Sequence, residues 1–456
     1  MSKKKRFKEP AKTLKVLAET EVLVAGGGPS GLAAAIAASR EGVETMLVEK
    51  NGYFGGNITK AHVEAFHWYR KSQAEIEEEV VEAGGVGREF EKCTQEMGEL
   101  QNYPRGDSKL LDADLFKLAS DKMVQEASIT PIFHCMIVDS IVENGGIKGV
   151  ITESKSGRQV ILADRVIDAT GDADIIARAG VPYQKAETED LMPVTVGFGM
   201  RGVDVDKFEN YVSENPTYIS DWAPRTKGKE DNLFHPFLGE VFDKAKRNGD
   251  IPEGTEMQAF WHSLTKENEA TGLNITRIFA IDPTNVWDLT KAELEGRKQV
   301  RLAEKVLKKY APGFENSRIR TIAPEVGTRE SRTIEGQYKL VKEDVMNQAT
   351  FNDSIGVYPE FLDGAGWVVI PTSGRYFQIP YRIMVPKEVD NLLVAGRSVS
   401  GDRVSHAATR QMSCCAVTGQ GAGVAAATSL KDGTTTSNVN ISKVQDNLQK
   451  QGVRVK

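Results

Sequence analysis

The alternation of apolar and polar positions near the amino terminus predicts a strand, a helix and a second strand in close succession. Residues 21–25 form an apolar run of strand length, and residues 32–40 are rich in alanine and other helix formers. Gly42 ends the helix, and a second apolar run over residues 45–49 closes with Glu49. This order is typical of a β-α-β unit, which implies a parallel sheet covered by helices.

Patterns farther along the chain predict more elements of the same α/β kind. Residues 111–124 have apolar side chains at helical spacing, and residues 132–138 are typical of a strand. A hairpin is expected over residues 142–151, because its centre holds the turn pair Asn144–Gly145. Another buried strand is predicted at residues 392–395.

The middle of the chain has a different character. Residues 183–318 are richer in charged and aromatic side chains and contain an amphipathic pattern over residues 292–307 that predicts a helix. We therefore expect an α+β substrate or cap domain inserted into a Rossmann-like α/β domain. The expected divisions are a nucleotide-binding domain over 19–182 and 319–432, the inserted domain over 183–318, and tails over 1–18 and 433–456.

Composition excludes several classes of protein. The formal net charge is -6 and the pI is about 5.8, so the basic footprint of a nucleic-acid binder is missing. The basic start is not followed by an apolar stretch, and no run approaches the roughly 18 apolar residues of a membrane span. Four cysteines without a CxxC pair, and six histidines without metal-ligand spacing, predict no disulfide framework and no metal site. We expect a cytoplasmic protein.

A glycine motif joins the first strand to the first helix. Gly26, Gly28 and Gly31 satisfy GxGxxG, allowing a tight turn, close backbone approach to a pyrophosphate and close packing of helix on strand. The helix N-terminus supplies unpaired N–H groups for the phosphates. Glu49 follows 18 residues after Gly31, where a carboxylate can accept hydrogen bonds from ribose hydroxyls and disfavours a 2′-phosphate. The motif alone leaves NAD and FAD both open.

Three later segments carry a resemblance to a known superfamily. A double glycine, Gly55–Gly56, follows Glu49; an Ala169–Thr170–Gly171 turn ends a later strand; and a Gly401–Asp402 pair follows the strand at 392–395. In this the chain resembles the glutathione-reductase-like, two-dinucleotide-binding flavoproteins, and within them the FAD-dependent oxidoreductase family. The resemblance implies a Rossmann-like FAD-binding domain of glutathione-reductase type, with FAD as the cofactor.

The resemblance also implies roles for single residues. Asp402 would bind the ribityl chain of FAD, and a helix beginning near Thr418 would direct its N-terminus at the flavin. The residues expected to bind the cofactor are Gly26, Gly28, Pro29, Ser30, Gly31, Glu49, Lys50, Gly55, Gly56, Thr59, Ala169, Gly171, Gly401, Asp402, Gln420 and Gly421.

The candidate catalytic residues are His406, Arg410 and Arg329. A histidine four residues past Asp402 could transfer a proton near the flavin, or equally cap a turn. Arginines suit an anionic substrate because the guanidinium fork binds two oxygens, although ion pairs within the protein would explain them as well. The further arginines considered for this role are Arg332, Arg375 and Arg382.

Other reactive side chains receive structural interpretations. Cys414 and Cys415 are expected to be small core residues of the flavin helix, because adjacent cysteines form only a strained disulfide. His62 and His67 are expected to be ordinary core or surface histidines, with a covalent flavin link as the alternative.

These features predict an enzyme that moves a hydride between flavin N5 and a small organic substrate, with an anionic one suiting the arginines. The alternatives are a flavin monooxygenase, or an electron-transferring subunit of a larger redox complex. A single GxGxxG motif and the lack of CxxC argue against a pyridine-nucleotide disulfide reductase. The expected partners are the small-molecule substrate and either a second copy of the chain or a redox protein, with no nucleic acid and no membrane.

Overall fold

The computed structural model describes residues 7–66, 83–102, 109–219, 233–364, 368–369 and 375–456. The strands are β1 (Lys15–Ala25), β2 (Thr45–Val48), β3 (Thr130–Ile132), β4 (Met136–Glu143), β5 (Gly146–Ser154), β6 (Gly157–Asp168), β7 (Tyr183–Gln184), β8 (Phe198–Arg201), β9 (Tyr218–Ile219), β10 (Leu233–Phe234), β11 (Met257–Phe260), β12 (Ser263–Thr265), β13 (Glu269–Thr276), β14 (Arg318–Ile322), β15 (Thr333–Ile334), β16 (Ser354–Pro359), β17 (Leu362–Asp363), β18 (Val368–Val369), β19 (Tyr376–Pro380) and β20 (Leu392–Val394).

The helices are α1 (Pro29–Arg40), α2 (Asn57–Lys60), α3 (Val86–Met97), α4 (Ala113–Glu126), α5 (Asp174–Arg178), α6 (Val205–Glu214), α7 (Gly239–Arg247), α8 (Val286–Tyr310), α9 (Lys342–Met346), α10 (Arg403–Thr409), α11 (Met412–Lys431) and α12 (Ile441–Lys450). Short 3₁₀ helices occupy Thr188–Asp190, Tyr381–Met384, Gly396–Ser398 and Thr436–Asn438.

The main sheet has the strand order β3-β2-β1-β6-β5-β4, and β20 also pairs with β6. Strands β3, β2, β1, β6 and β20 are parallel, so their carboxyl ends lie at one edge, while β4 and β5 continue the sheet antiparallel. Helix α1, which follows β1, is buried along most of its length. Its neighbour α11 packs so closely that a Cβ on Gly423 would lie 2.1 Å from the carbonyl oxygen of Ala34. The predicted Rossmann-type α/β fold is confirmed.

A second, antiparallel sheet lies in the middle of the chain, in the order β11-β13-β8-β14, with β12 also pairing with β13. This sheet has a hydrophobic cluster of its own, in which the ring of Phe208 meets those of Trp261 at 5.4 Å and Phe314 at 5.1 Å. One side of α8 is buried in the same cluster. Because β14 (Arg318–Ile322) belongs to this sheet, the sheet continues past the expected boundary at residue 318.

With one exception, the elements predicted from apolar patterns are present, with changes at their ends. The helix expected over 292–307 is the central part of α8, and the hairpin turns at Asn144–Gly145, whose φ angles are 51° and 75°. The strand expected over 132–138 is wrong as one element, because the chain leaves β3 at Ile132 and enters β4 at Met136.

The two expected tails were partly wrong. Strand β1 begins at Lys15, within the segment assigned to the first tail. Beyond residue 432, helix α12 buries Val444 and Leu448, and Arg454 donates its backbone N–H to the Ala83 carbonyl. Only Val444 and Leu448 are buried within this helix, which is why the sequence pattern indicated at most a short or frayed helix over residues 444–449. No helix in the described part of the chain combines the length and apolar character that crossing a membrane requires.

Candidate active site

A cavity of about 1030 Å³ opens at the carboxyl edge of the main sheet and continues toward the second sheet. It lies where open α/β sheets place their ligands. The expected site residues that line it are Gly26, Gly28, Pro29, Ser30, Glu49, Lys50, Gly56, Ala169, Gly171, Arg329 and Arg410. These expected residues therefore lie together around one cavity.

The turn between β1 and α1 forms a backbone cradle at this edge. Gly28 precedes α1 without a side-chain cap, so the first N–H groups of the helix face the cavity together with the positive end of its dipole. A Cβ on Gly28 would meet only the Gly56 Cα, at 3.7 Å, and would occupy the cradle itself. This geometry fits a pyrophosphate, which needs close backbone approach and unpaired donors.

Two other glycines of the motif serve packing. A Cβ on Gly31 would lie 1.7 Å from the carbonyl oxygen of Gly26, so the helix could not approach the strand. Gly26 has φ 98° and would place a Cβ 2.5 Å from the Ala169 carbonyl oxygen. Gly31 therefore shapes the cradle although it does not line the cavity.

Glu49 is fixed at the end of β2. One carboxylate oxygen accepts from the Gly27 N–H at 2.7 Å and the other from the Asn51 N–H at 2.9 Å. The side chain is buried and borders the cavity. A carboxylate in this place fits the hydroxyl groups of an adenosine ribose.

Arg397 lies at the end of β20 and lines the cavity, although sequence reasoning did not select it. Its guanidinium donates to Asp172 at 2.8 Å and to Ser331 at 3.2 Å, and Ser331 donates to Asp172 at 2.6 Å. Burial alone would raise the pKa of Asp172, but Arg397, Ser331 and the nearby Lys60 hold it below its ordinary value. The signal for this pair was present in the sequence, since both residues directly follow strand-ending glycines, Gly171 and Gly396.

The role expected for Asp402 does not fit its place in the structure. Its carboxylate caps α10, accepting from the N–H groups of Val404 and Ser405, and it also accepts from the Lys342 N–H. Neither Asp402 nor Gly401 lines the cavity. The side chain near this strand end that lines the cavity is Arg397, five residues earlier, so the structure does not support the role expected for Asp402.

The helix expected to begin near Thr418 begins at Met412, so the roles of Gln420 and Gly421 are corrected as well. The Gln420 side chain accepts from the Val86 N–H and donates to Gln451, and Gly421 packs on Ile355. The residues of this helix and its N-cap that reach the cavity are Gln411, Met412 and Cys415.

Gly55 and Thr59 stabilise the backbone next to the cradle and do not form its surface. The Thr59 hydroxyl donates to the Phe54 carbonyl at 2.7 Å and is fully buried. Gly55 has φ 109°, and its N–H donates to the Gly27 carbonyl at 2.8 Å. Neither residue lines the cavity.

His406 is buried behind Arg329 and does not border the cavity. Its Nε2 lies 3.3 Å from the Arg329 carbonyl oxygen, which can only accept, so Nε2 carries the proton. Burial, together with the charges of Arg410 and Arg397, lowers the pKa of His406 to about 3. A ring that stays neutral and out of reach does not fit the proton-transfer role considered for it.

Arg329 and Arg410 do lie on the cavity wall. Arg329 donates to the Pro193 carbonyl at 2.8 Å and to the Thr195 hydroxyl at 2.6 Å, while Arg410 forms an ion pair with Asp363 at 2.8 Å. Burial and repulsion from Arg410 and Arg277 lower the pKa of Arg329 to about 10, so it stays protonated at neutral pH.

Arg277 completes this group and was not selected from the sequence. It lines the cavity, and its guanidinium lies 5.0 Å over the ring of Phe279. Among the described residues, Arg329 is repelled by both Arg410 and Arg277 and attracted by Asp363, which pairs with Arg410, so positive charge exceeds negative charge in this group. Such an excess attracts an anionic group.

The remaining arginines have partners of their own. Arg375 pairs with Glu360, and Arg382 pairs with Asp353 at 2.9 Å, both away from the cavity. Arg332 does line the cavity and pairs with Asp174 at 3.0 Å. Of the other side chains considered, Cys414 is fully buried, His62 does not line the cavity, and His67 lies outside the described residues.

Comparison with known proteins decides the family. Residues 21–448 match the model of the family described as FAD dependent oxidoreductase. The chain belongs to this family. The protein is therefore an enzyme whose cofactor is FAD. When it is bound, FAD would exchange a hydride or electrons with a substrate.

Its curated relatives carry out different reactions. Digeranylgeranylglycerophospholipid reductase of Methanospirillum hungatei is 29% identical over 219 residues, 43% of this chain and 50% of that protein. The 6-methylpretetramide 4-monooxygenase of Streptomyces rimosus is 27% identical over 183 residues, 38% of this chain and 44% of that protein. This oxidoreductase thus matches about half the length of these relatives.

The chain is also similar to a protein of known structure. A geranylgeranyl bacteriochlorophyll reductase-like protein from Thermoplasma acidophilum aligns with a TM-score of 0.46 and 14% identity, over 95% of this chain and 82% of that one.

Proposed function

We propose that this enzyme is a dehydrogenase or reductase of a small organic anion, whose anionic group is bound by Arg329 and Arg410. The observation that carries the proposal is the group of three guanidiniums that line one cavity, Arg277, Arg329 and Arg410, of which Arg410 pairs with Asp363. Arg329 is held in place by Pro193 and Thr195, which reduces the entropy lost when it binds an anion.

We further propose that the fold is of the glutathione-reductase type, with a cap domain over the cavity. The fingerprint at the β1–α1 turn and the parallel order β3-β2-β1-β6 support the first part. The separate sheet and hydrophobic cluster of residues 183–318, extended by β14, support the second. The cofactor-binding domain would then comprise residues 19–182 and the segment from β15 onward.

The residues that would hold FAD follow from the cavity lining. The cradle of Gly28, Ser30 and Gly56 would hold the pyrophosphate, and Glu49 the adenosine ribose. Arg397 and Asp172 line the same cavity, and Gly396, next to Arg397 in the chain, packs against Ser30 of the cradle.

The proposal is tested by anaerobic bleaching of the bound flavin with a panel of organic acids and their uncharged amides. We expect acids to reduce the flavin and Arg329→Met to raise the KM for them about 10- to 100-fold, since a hydrogen bond to a charged group contributes about 1.5–3 kcal/mol. Arg329→Lys should retain part of the affinity, because it keeps the charge and loses the fork.

The matched control is Arg382→Met, which removes an arginine paired with Asp353 away from the cavity. It should leave the KM for acids unchanged. Equal reaction of acids and amides, or equal effects of the two arginine variants, would contradict the anion-binding role.

A monooxygenase is the second candidate, favoured by the likeness to the Streptomyces rimosus enzyme. It requires substrate-dependent oxygen uptake coupled to NAD(P)H oxidation. Turnover without oxygen, using an artificial electron acceptor, would decide against it.

We propose a cytoplasmic location and a second copy or a redox protein as partner. The described cysteines, Cys93, Cys135, Cys414 and Cys415, are buried and unbridged, which agrees with a reducing compartment. Gel filtration and co-purification from cells would test the partner.

A further inference from the structure

The part of the cavity next to the second sheet has an aromatic wall, which we define as His235, Phe237 and Phe260. The ring of Phe260 lies 4.6 Å from that of His235 and 5.4 Å from that of Phe237, measured between centroids. All three residues line the cavity and are only partly buried. Met257 and Leu289 extend the lining with apolar side chains.

A β-bulge brings part of this lining to the cavity. In the ladder of β11 with β13, Met257 pairs with Thr276 and Phe260 with Asn274, so β11 holds one extra residue between them. Met257 and Phe260 are three apart and would face opposite sides of a regular strand, yet both line the cavity. The bulge contains Ala259 with φ 60°, a left-handed conformation that an alanine rarely adopts. This left-handed residue directly precedes Phe260, whose side chain lines the cavity.

The aromatic wall adjoins the part of the cavity lined by Arg277, Arg329 and Arg410. Asn274 lies directly opposite Phe260 in the ladder, and its Oδ1 is 3.4 Å from the guanidinium of Arg329. Asn274 also lines the cavity. A molecule whose anionic group binds Arg329 therefore has its adjacent atoms within reach of the ring of Phe260.

We propose that the substrate is an amphipathic acid, with an anionic head at Arg329 and Arg410 and an apolar body against the aromatic wall. The binding of the anionic head rests on the function proposed above, and the binding of the apolar body is the new inference. An apolar body gains by leaving water for this surface, and a flat ring can also pack against the edges and faces of the two phenylalanines.

Binding to the FAD-loaded enzyme tests the inference, with the flavin absorbance change as the readout. The probes are acetate, hexanoate, 3-phenylpropanoate and 3-phenylpropanamide. We expect 3-phenylpropanoate to bind about 10- to 100-fold more tightly than acetate, as burial of a ring predicts. Phe260→Ala and Phe237→Ala should each reduce that ratio about tenfold while acetate affinity stays within about twofold. Hexanoate shows whether the surface binds an alkyl chain as well as a ring. Tighter binding than acetate by hexanoate or by 3-phenylpropanoate supports the proposal.

The control is Tyr218→Ala, which removes an exposed aromatic ring outside the cavity and should leave the ratio unchanged. Phe260→Leu keeps most of the apolar volume without a ring, so it provides a folded variant for comparison if Phe260→Ala fails to fold. Equal binding of acetate and 3-phenylpropanoate, or a ratio unaffected at both phenylalanines, would overturn the inference while leaving the anion site standing. If the amide binds as tightly as the acid, the proposed anion site is wrong, whereas the proposal of an apolar substrate body stands. If no probe changes the flavin absorbance, both proposals are wrong.

Discussion

At the scale of single residues, distance along the chain was a poor guide to distance from the cavity. His406 and Arg410 are four apart, a spacing that places two residues on one side of a helix. Helix α10 ends at Thr409, however, and only Arg410 reaches the cavity wall while His406 turns inward behind Arg329. The Arg397–Asp172 pair was missed for the related reason that its members are 225 positions apart.

We predict that His406→Gln leaves the pH profile of kcat/KM unchanged between pH 5 and 8. The pKa of about 3 keeps the ring neutral over that whole interval, and glutamine can still donate to the Arg329 carbonyl. The profile is measured on variant enzyme with full flavin content. Loss of one limb of a bell-shaped profile would restore His406 as the proton-transfer group.

At the scale of elements, the sequence predicted those that have a long or regular apolar pattern. Strands β1 and β2, helix α1 and the hairpin of β4 and β5 were all found, because burial imposes its period on the side chains. The start of α11 was missed because the residues after Met412 are small and carry no helical period, and the N-cap residue, Gln411, makes no side-chain capping hydrogen bond. The strands of the second sheet, three to eight residues long, left no pattern that could be distinguished from loops.

Two glycines of similar appearance in the sequence have different roles, and alanine substitutions should separate them. Gly28→Ala is expected to fold normally, because φ -74° and ψ -176° suit alanine, but to weaken FAD binding by about tenfold or more, since its Cβ occupies the pyrophosphate cradle. Gly423→Ala should lower the free energy of unfolding by about 1–3 kcal/mol or more, because its Cβ meets the Ala34 carbonyl at 2.1 Å.

Urea unfolding and FAD titration of both variants provide the measurements. The result that contradicts this assignment is the reverse: an unstable Gly28→Ala protein and a stable Gly423→Ala protein with weakened FAD binding.

At the scale of the whole molecule, the cavity is formed by two parts that the sequence described unequally. The cofactor edge follows from one motif and one acid, Gly26 to Gly31 and Glu49, because β-α-β geometry brings them together locally. The opposite wall joins Arg277, Arg329 and Arg410 from three separate segments, and no local rule predicts that arrangement. The chemistry of the cofactor could therefore be predicted, and Arg329 and Arg410 could be proposed one by one, but their grouping with Arg277 on one wall could not.

Glu64 lies where these two parts meet. From its surroundings we predict how the stability of the whole fold depends on pH. The side chain is buried, and it accepts a hydrogen bond at 3.1 Å from Thr271 of β13. Burial and the neighbouring carboxylates of Asp112 and Asp114 raise its pKa from 4.5 to about 8. The folded state thus binds a proton that the unfolded chain has released, and this contribution to stability is lost as the pH rises from about 4.5 through 8.

Replacing Glu64 by glutamine should remove that loss. Between pH 5 and pH 9 the free energy of unfolding of the parent protein is expected to fall by up to about 4 kcal/mol more than that of Glu64→Gln, since each pH unit over which the two states differ by one proton contributes about 1.4 kcal/mol. The amide keeps the size of the side chain and a group to bond Thr271, so the variant should fold with its flavin. Urea titrations at both pH values measure the difference. Parallel pH dependence in the two proteins would mean that Glu64 is ionised in the folded state, and that the junction between the sheets tolerates a charge.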